Sequence, residues 1–242
     1  MSCKKIGLLG GRGYVGQEII SLLNNNNNLN IGSVFSSSRA GQPVKMDASG
    51  EIVYQDLALD KIDLGDEEAF ILALPNMKSQ QYVDLITNHN KEAIIVDLSS
   101  DHRFDKNWEY RIPELSDPVS SKKISNPGCY ASAMQFMIAP ILNILDGPVN
   151  LFGISGYSGA GASPNQRNNT ELLKDNILPY TLVKHLHEKE VQTHSYPDIL
   201  FTPHVGNFFR GIMITGNFFV SKQSDPKEIM NLFTDFYREM SL

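Results

Sequence analysis

The sequence predicts an α/β protein in which a parallel-sheet domain is followed by an α+β domain. The N-terminal half alternates short apolar strand-like segments with helical ones, and the C-terminal half contains longer strands rich in aromatic and β-branched residues. With 242 residues, 41% of them hydrophobic and 20% charged, the chain is able to bury a substantial core. We place the boundary at residue 128, so that the domains cover 1–128 and 129–242.

Apolar periodicity predicts the parallel-sheet domain in the N-terminal half. Short apolar runs predict four buried strands, and the segments between two pairs of them have helical spacing. An asparagine-rich run, 24–28, ends the first helix and is expected to be a solvated loop. The strands are expected at 5–9, 31–36, 70–74 and 93–98, and the helices at 17–23 and 79–88.

The C-terminal half begins with an apolar helix that starts near Cys129. Three strands follow, at 149–155, 199–203 and 210–220, and a small-residue loop comes after the first of them. A last helix is expected at 226–240. Ser224 or Asp225 would be its cap, and Pro226 would take its first position.

Composition excludes several classes of protein. The net charge of −6, without a long basic run, argues against binding to a nucleic-acid backbone. Two cysteines are too few for a disulfide framework, so a reducing compartment is expected. The N-terminus lacks a signal-peptide pattern, and no segment approaches the about 18 consecutive apolar residues of a membrane span. We therefore expect a cytoplasmic protein.

A glycine-rich loop lies between the first predicted strand and the first helix. Gly10, Gly13 and Gly16 allow a tight turn and a close approach of the backbone to a ligand, and the helix N-terminus attracts a pyrophosphate. This context favours a Rossmann-type dinucleotide site, with Tyr14 and Val15 among the expected contacts. The alternative is a tight structural turn that binds no ligand.

The end of the second strand distinguishes between the two nicotinamide cofactors. An acidic residue there would bind the ribose 2′-hydroxyl of NAD. This chain instead has the run from Ser36 through Ser38 to Arg39, and hydroxyls with a guanidinium suit a 2′-phosphate. The expected cofactor is NADP(H). The alternative is that Arg39 lies in a solvated turn and points into water.

Cys129 is the candidate nucleophile. It follows Pro127 and Gly128 and stands where the apolar helix begins, so that free N–H groups and the helix dipole favour a thiolate. A small buried core residue is the alternative, since this is the commoner role of a cysteine.

Several sequence blocks together resemble N-acetyl-gamma-glutamyl-phosphate reductase, the arginine-pathway relative of aspartate-semialdehyde dehydrogenase. The block around Cys129 is the most specific, and all of them occur in the order of that family. They are Gly10–Glu18, Ser37–Gly41, Ala73–Asn76, Val96–Phe104, Tyr110–Leu115, Asn126–Ala133, Ser155–Gly161, His185–Gln192 and Phe201–Gly211.

The resemblance implies a cysteine-thioester mechanism. The Cys129 thiolate would attack an acyl phosphate and expel phosphate, NADPH would deliver a hydride, and an aldehyde would leave. His187 is the acid/base candidate, and His185 is its main competitor because it would share a face with His187 on an extended segment. A polar surface pair is a further alternative, as is a zinc site that includes His204.

Substrate contacts are expected from both halves of the chain. Arg103 could receive the acyl phosphate or pair with a surface aspartate, and Arg210 could face a substrate carboxylate or serve the sheet. Backbone N–H groups at Ser155 and Gly156 could hold the phosphate or amide, or form only a turn. Asn126, in the Cys129 block, completes the expected substrate set. The resemblance also suggests a homo-oligomer.

One expectation concerns the end of the chain. Members of that family carry a further C-terminal segment, for which no counterpart is found before Leu242. An inactive NADP-binding chain is therefore an alternative function. The same chemistry on an aminoadipyl phosphate is another, because only substrate-pocket residues would distinguish the two substrates.

Overall fold

The computed structural model describes residues 4–45, 52–221, 225–238 and 240, and they form two compact units. The N-terminal unit runs to Arg111 and adds Val119–Asn126. The C-terminal unit contains Ile112–Pro118 and continues from Pro127 to the end of the described chain. Residues 112–118 thus group with the C-terminal unit although they precede residue 128.

The N-terminal unit is built on a seven-stranded sheet. Its strands stand in the order β3-β2-β1-β4-β5-β7-β6, and every pair that the structure describes is parallel. The sequence-based prediction of a parallel sheet is therefore confirmed. The strands are β1 Lys4–Leu9, β2 Leu29–Ser36, β3 Tyr54–Asp56, β4 Ala69–Leu72, β5 Ile94–Asp97, β6 Glu109–Tyr110 and β7 Lys123–Ser125.

Two helices accompany this sheet, α1 at Tyr14–Asn24 and α2 at Gln80–His89. The central strands are almost continuously apolar, as expected of parallel strands covered on both faces, and several of their side chains have no exposed surface. The fully buried examples are Leu8, Leu9, Phe35, Phe70 and Leu72.

Helix α1 begins three residues earlier than the expected start at Gln17. Its N-cap is Gly13, so Tyr14, Val15 and Gly16 belong to the first helical turn and not to the loop. Helix α2 starts one residue later than expected, and β4 ends at Leu72, before the expected end at residue 74. The earlier start of α1 places the helix N-terminus directly at the glycine loop.

The C-terminal unit contains a four-stranded mixed sheet in the order β11-β8-β10-β9. Strands β8 and β10 are parallel, while β9 and β11 run antiparallel to their neighbours. The strands are β8 Val149–Gly156, β9 Ile177–Pro179, β10 Ile199–Gly206 and β11 Ile212–Asn217. The expected strand 210–220 is thus shorter, and Arg210 lies in the turn that precedes it.

The described residues of this unit form four α-helices: α3 Cys129–Ile138, α4 Thr170–Leu173, α5 Leu186–His194 and α6 Pro226–Tyr237. Pro140 prevents α3 from continuing as an α-helix, and a 3₁₀ segment, Ala139–Ile144, replaces it. Asp225 caps α6 by accepting the N–H of Lys227, so one of the two expected caps is confirmed.

Helices α3 and α5 pack against one face of the mixed sheet. The side chains of β8 and β10 alternate between this buried face and a more exposed face until the last two residues of each strand, which are all buried. Aromatic and aliphatic residues such as Tyr130, Met134 and Phe201 form the core between helices and sheet. None of the helices in the described part of the chain is long and apolar enough to cross a bilayer.

Candidate active site

The loop from Gly10 to Gly16 connects β1 to α1 in the N-terminal unit. Gly10 has a φ of +91°, and a Cβ there would lie 2.2 Å from the carbonyl oxygen of Ala73. A Cβ on Gly16 would lie 2.5 Å from the carbonyl oxygen of Gly10. Both positions therefore require glycine, because any side chain would displace the backbone of the loop.

Gly13 has a different role in this loop. A Cβ there would have only the Gly10 carbonyl oxygen within 4 Å, at 3.8 Å, so this side of the loop is open. As the N-cap of α1, Gly13 offers no side chain to the free N–H groups of the first turn. An open glycine turn at a helix N-terminus fits the pyrophosphate of a dinucleotide.

The residues after β2 face the same loop. The Arg12 guanidinium donates to Ser38 Oγ at 3.0 Å, and Arg39 lies 6.0 Å above the ring of Tyr54. Ser36 is buried, whereas Ser38 and Arg12 are both exposed. Arg12 was not among the sequence-based candidates, although a basic residue inside a glycine loop was the signal that pointed to it.

Cys129 is the first residue of α3 and its side chain is exposed. The predicted helix start is confirmed, with Gly128 as the N-cap. A cysteine at this position receives the favourable field of the helix N-terminus and stays accessible to a substrate, the two conditions that a nucleophilic thiolate needs.

His187 packs directly against the residue that precedes Cys129. A Cβ on Gly128 would lie 2.1 Å from His187 Nε2, so glycine at 128 makes room for the imidazole. The ring also lies 6.3 Å from the ring of Tyr130. The structure therefore brings His187 to the start of α3.

Glu190 connects these two groups and was missed in the sequence. Its carboxylate is fully buried: one oxygen accepts the N–H of Gly128 at 2.9 Å, and the other lies 3.9 Å from His187 Nε2. Glu190 follows His187 by three residues on α5, so both lie on one face of the helix. That spacing was the available signal, but it is informative only on a helix.

The expectation that His185 and His187 share an extended segment was wrong. His187 lies in α5, and His185 is its N-cap, accepting the His187 N–H at Nδ1 over 3.1 Å. Burial, and then the positive charge of Arg167, lowers the pKa of His185 to about 4. A neutral imidazole that accepts a backbone hydrogen bond is suited to hold the helix start in place.

Two tyrosines line the same region of the C-terminal unit. The Ser155 hydroxyl, at the buried end of β8, hydrogen-bonds with Tyr130 and Tyr180. Burial raises the pKa of both phenols, and the negative charge of Cys129 raises it further. Both hydroxyls therefore remain neutral: that of Tyr130 donates to the backbone carbonyl of His204 at 2.5 Å, and that of Tyr180 is a donor near the cysteine.

Gly156 and Arg210 lie beside one another. A Cβ on Gly156 would lie 2.6 Å from the carbonyl oxygen of Phe209, so the turn before β11 closes against a glycine. The exposed Arg210 guanidinium lies 5.3 Å from the Phe209 ring.

Arg103 and Asn126 belong to the N-terminal unit. Arg103 is buried, and its guanidinium donates from Nε to the Asn126 carbonyl at 2.9 Å and from Nη2 to the Leu98 carbonyl at 3.0 Å. These bonds fasten the end of β7 to the loop after β5.

For metal chemistry, the described residues contain no group of three or more His, Cys, Asp and Glu side chains able to hold an ion.

Comparison with known proteins identifies the family. Residues 5–123 match the family model of the semialdehyde dehydrogenase NAD binding domain, and residues 129–242 match that of the semialdehyde dehydrogenase dimerisation domain. The N-acetyl-gamma-glutamyl-phosphate reductase of Stenotrophomonas maltophilia is 41% identical over 237 residues, which cover 96% of this chain and 75% of that protein. The chain belongs to the N-acetyl-gamma-glutamyl-phosphate reductase family. The resemblance inferred from its sequence blocks is confirmed.

Two fungal relatives are much longer than this chain. The mitochondrial protein arg11 of Schizosaccharomyces pombe is 40% identical over 240 residues, and this chain covers 27% of it. Among solved structures, an aspartate semialdehyde dehydrogenase II of Vibrio cholerae superposes with a TM-score of 0.79 at 14% identity, over 96% of this chain and 79% of that one. This likeness confirms the predicted fold class.

The N-cap role of His185 leads to a prediction about stability in this family member. His185→Ala should lower the free energy of unfolding by about 1 kcal/mol, since a helix cap is lost, and His185→Asn should recover most of it. In the wild type, the free energy of unfolding should fall as the pH drops from about 6.5 towards about 4, because only the unfolded chain then takes up the proton.

Urea denaturation of the wild type and both variants at pH 7 and pH 5 measures these effects. His185→Asn should be less sensitive to this pH change than the wild type. An unchanged sensitivity in that variant would contradict a neutral, buried His185.

Proposed function

We propose that this chain reduces N-acetylglutamyl 5-phosphate with NADPH to N-acetylglutamate 5-semialdehyde and phosphate, a step of arginine biosynthesis. One observation carries the proposal: an exposed cysteine at the start of α3 stands next to a glycine against which His187 packs. The names of the bacterial relatives support the choice of substrate.

The first half-reaction forms a thioester. Cys129 Sγ, as the thiolate, attacks the carbonyl carbon of the acyl phosphate. The bond between that carbon and the bridging oxygen then breaks, and phosphate leaves with the electron pair. The N-terminus of α3 stabilises the thiolate before attack. The neutral hydroxyl of Tyr180 can donate to the oxygen that gains charge during attack.

The second half-reaction releases the aldehyde. Bound NADPH supplies a hydride to the thioester carbonyl carbon, and the residues of the glycine loop, with Ser36, Ser38 and Arg39, would hold that cofactor. His187 Nε2 then gives a proton to the oxygen of the resulting thiohemiacetal. It takes the proton back as the C–S bond breaks, so that aldehyde leaves and the Cys129 thiolate returns.

Glu190 supports His187 in this scheme. Its buried carboxylate lies 3.9 Å from His187 Nε2, beside the proposed acid/base. Because its other oxygen holds the Gly128 N–H, the acid/base and the nucleophile share one anchor.

Substrate contacts are proposed for residues of each unit. We assign substrate contacts to Ser155, Gly156 and Arg210 in the C-terminal unit, where the hydroxyl, the backbone and the exposed guanidinium are suited to phosphate, amide and carboxylate. Asn126 stays assigned to the substrate. Arg103, which the sequence placed on the phosphate, donates to two backbone carbonyls, so its proposed contribution includes fixing the segment that contains Asn126.

NADP(H) is proposed over NAD(H) on the chemistry after β2. Ser38 carries a hydrogen bond from Arg12, and Arg39 stands beside the same turn, so hydroxyl and guanidinium groups are grouped where a 2′-phosphate is expected. A reducing compartment such as the cytoplasm is also proposed, since the reaction needs a free Cys129 thiol.

A second copy of the chain is the proposed partner. The face of the mixed sheet that α3 and α5 leave uncovered exposes large apolar side chains, among them Phe152, Leu200 and Met213. The matched family model for this unit is described as a dimerisation domain. Pairing of two such faces would bury this apolar surface.

The first prediction concerns turnover. With N-acetylglutamate 5-semialdehyde and phosphate, the chain should reduce NADP⁺ only when phosphate is present, and Cys129→Ser should abolish reduction while NADPH binding is retained. Absorbance at the NADPH band measures turnover. A folded wild type that binds NADPH without turnover would favour the inactive chain, and preference for the aminoadipate semialdehyde would favour the alternative substrate.

The second prediction concerns cofactor choice. Arg39→Ala and Ser38→Asp should each lower the ratio of kcat/KM for NADPH to that for NADH by about tenfold or more, because a charge-assisted bond to the 2′-phosphate is lost. Arg238→Ala, which removes a surface arginine paired with Asp235, is the matched control and should leave the ratio unchanged. Equal ratios in all variants would refute the 2′-phosphate assignment.

The third prediction concerns assembly. Leu200→Glu and Met213→Glu should each shift the sedimentation of the chain from dimer to monomer, since a charge on a buried apolar face costs several kcal/mol. Leu22→Glu, on an exposed position of α1, should not. A monomeric wild type would overturn the proposal.

A further inference from the structure

A buried imidazole joins two loops at the carboxyl edge of the parallel sheet. His102 is 3% exposed, its Nδ1 lies 2.6 Å from Asp97 Oδ2, and its Nε2 lies 3.0 Å from Gln80 Oε1. Asp97 is the last residue of β5 and Gln80 is the first of α2. The imidazole therefore spans from one βα connection of the sheet to the next.

Both ring nitrogens of His102 face acceptors. Gln80 Nε2 donates to Asp84 at 2.8 Å, so the oxygen end of its amide must be the end that faces His102. The fully buried Asp97 carboxylate accepts from Ser79 Oγ and from Ser99 Oγ and N, at 2.8 to 3.0 Å. A hydrogen on each nitrogen, which is the imidazolium form, satisfies both acceptors.

Asp101 closes the same two loops with a second set of bonds. Its carboxylate accepts the N–H of Met77 at 2.5 Å and that of Ser79 at 2.9 Å. Met77 has a φ of +65°, a left-handed conformation that costs a non-glycine residue roughly 1–2 kcal/mol. The loop before α2 is therefore held in a strained shape by the loop after β5.

These loops lie where one half of a dinucleotide is expected. The glycine loop after β1 takes the pyrophosphate, and the turn after β2 takes the adenosine ribose, so the other half extends over the ends of β4 and β5. The loop after β4 also touches the glycine loop, since a Cβ on Gly10 would meet the Ala73 carbonyl.

We propose that His102 is a positioning residue, which forms with Asp97 a buried imidazolium–carboxylate pair that shapes loops 73–80 and 98–103 to receive the nicotinamide half of the cofactor. This inference rests on the proposed function for its ligand and adds a residue role to it. A buried ion pair stabilises a fold poorly but fixes one arrangement of the groups around it. Here the arrangement fixed is that of the two loops.

The only tryptophan of the chain reports on this pair directly. Trp108 stacks on His102 with ring centroids 4.0 Å apart and planes 17° from parallel. An imidazolium in contact quenches indole fluorescence, so His102→Gln should brighten Trp108 at neutral pH. In ¹⁵N-histidine spectra of the wild type, His102 should show hydrogens on both ring nitrogens. A single ring N–H on His102 would overturn the charged pair, whether or not any variant folds.

Cofactor binding tests the positioning role. His102→Gln and Asp97→Asn should each raise the NADPH dissociation constant about tenfold or more, because the loops lose their fixed shape. The preference for NADPH over NADH should stay at the wild-type ratio, since the turn after β2 is untouched. His89→Gln, at the exposed end of α2, is the matched control and should bind NADPH like the wild type.

The outcomes separate this inference from the proposed function. A wild type that fails to bind NADPH refutes the proposed cofactor, while the ring N–H count on His102 still decides the charged pair. A wild type that binds NADPH, with folded His102→Gln binding equally well, refutes the positioning role alone. Should His102→Gln fail to fold, Gln80→Met removes only the outer acceptor, and wild-type affinity in that variant would count against the role.

Discussion

The contact between His187 and Gly128 is the constraint on which the candidate active site depends. A Cβ at position 128 would overlap the imidazole, so His187 can pack against the start of the helix that begins at Cys129 only because residue 128 has no side chain. The buried Glu190 contacts both groups: one carboxylate oxygen accepts the Gly128 N–H, and the other faces His187. The helix that begins at Cys129 and the helix that contains His187 are thereby linked by a single carboxylate.

The same device serves the cofactor loop in the N-terminal unit. There the N-cap is Gly13, and the free N–H groups of α1 face an open turn. A glycine before a helix thus admits a protein side chain in one unit and is suited to admit an anionic ligand in the other. In the proposed function each unit uses a helix N-terminus, one to stabilise a thiolate and one to attract a pyrophosphate.

Much of the fold followed from apolar periodicity, and the failures have physical causes. The buried parallel strands and α6 with its Asp225 cap were predictable, because burial and capping leave local patterns. Strands β3 and β6 contain three and two residues, too few for a period to register. Helix α5 was missed because its buried residues are Glu190 and Val191. One of its two core positions is charged, so the sequence shows no apolar stripe at helical spacing.

The candidate site was predictable only where neighbouring residues in the sequence indicate a role. Cys129 stood out because proline, glycine and an apolar helix surround it in the sequence. Glu190 and Arg12 did not, since a charged residue in a single sequence usually indicates solvent, and only the fold places the one in the core and the other beside Ser38.

Buried charge has a different use here from surface charge. Exposed pairs such as Lys4 with Glu68 contribute about 0–1 kcal/mol at most, and the apolar clusters of the two units supply the stability. Glu190 and Asp97 are each fully buried, and backbone or hydroxyl donors offset the cost of removing them from water. What each gains for the protein is position: Glu190 aligns two helix starts, and Asp97 with His102 aligns two loops. A chain with apolar residues at these positions would keep its fold and lose the geometry on which the chemistry depends.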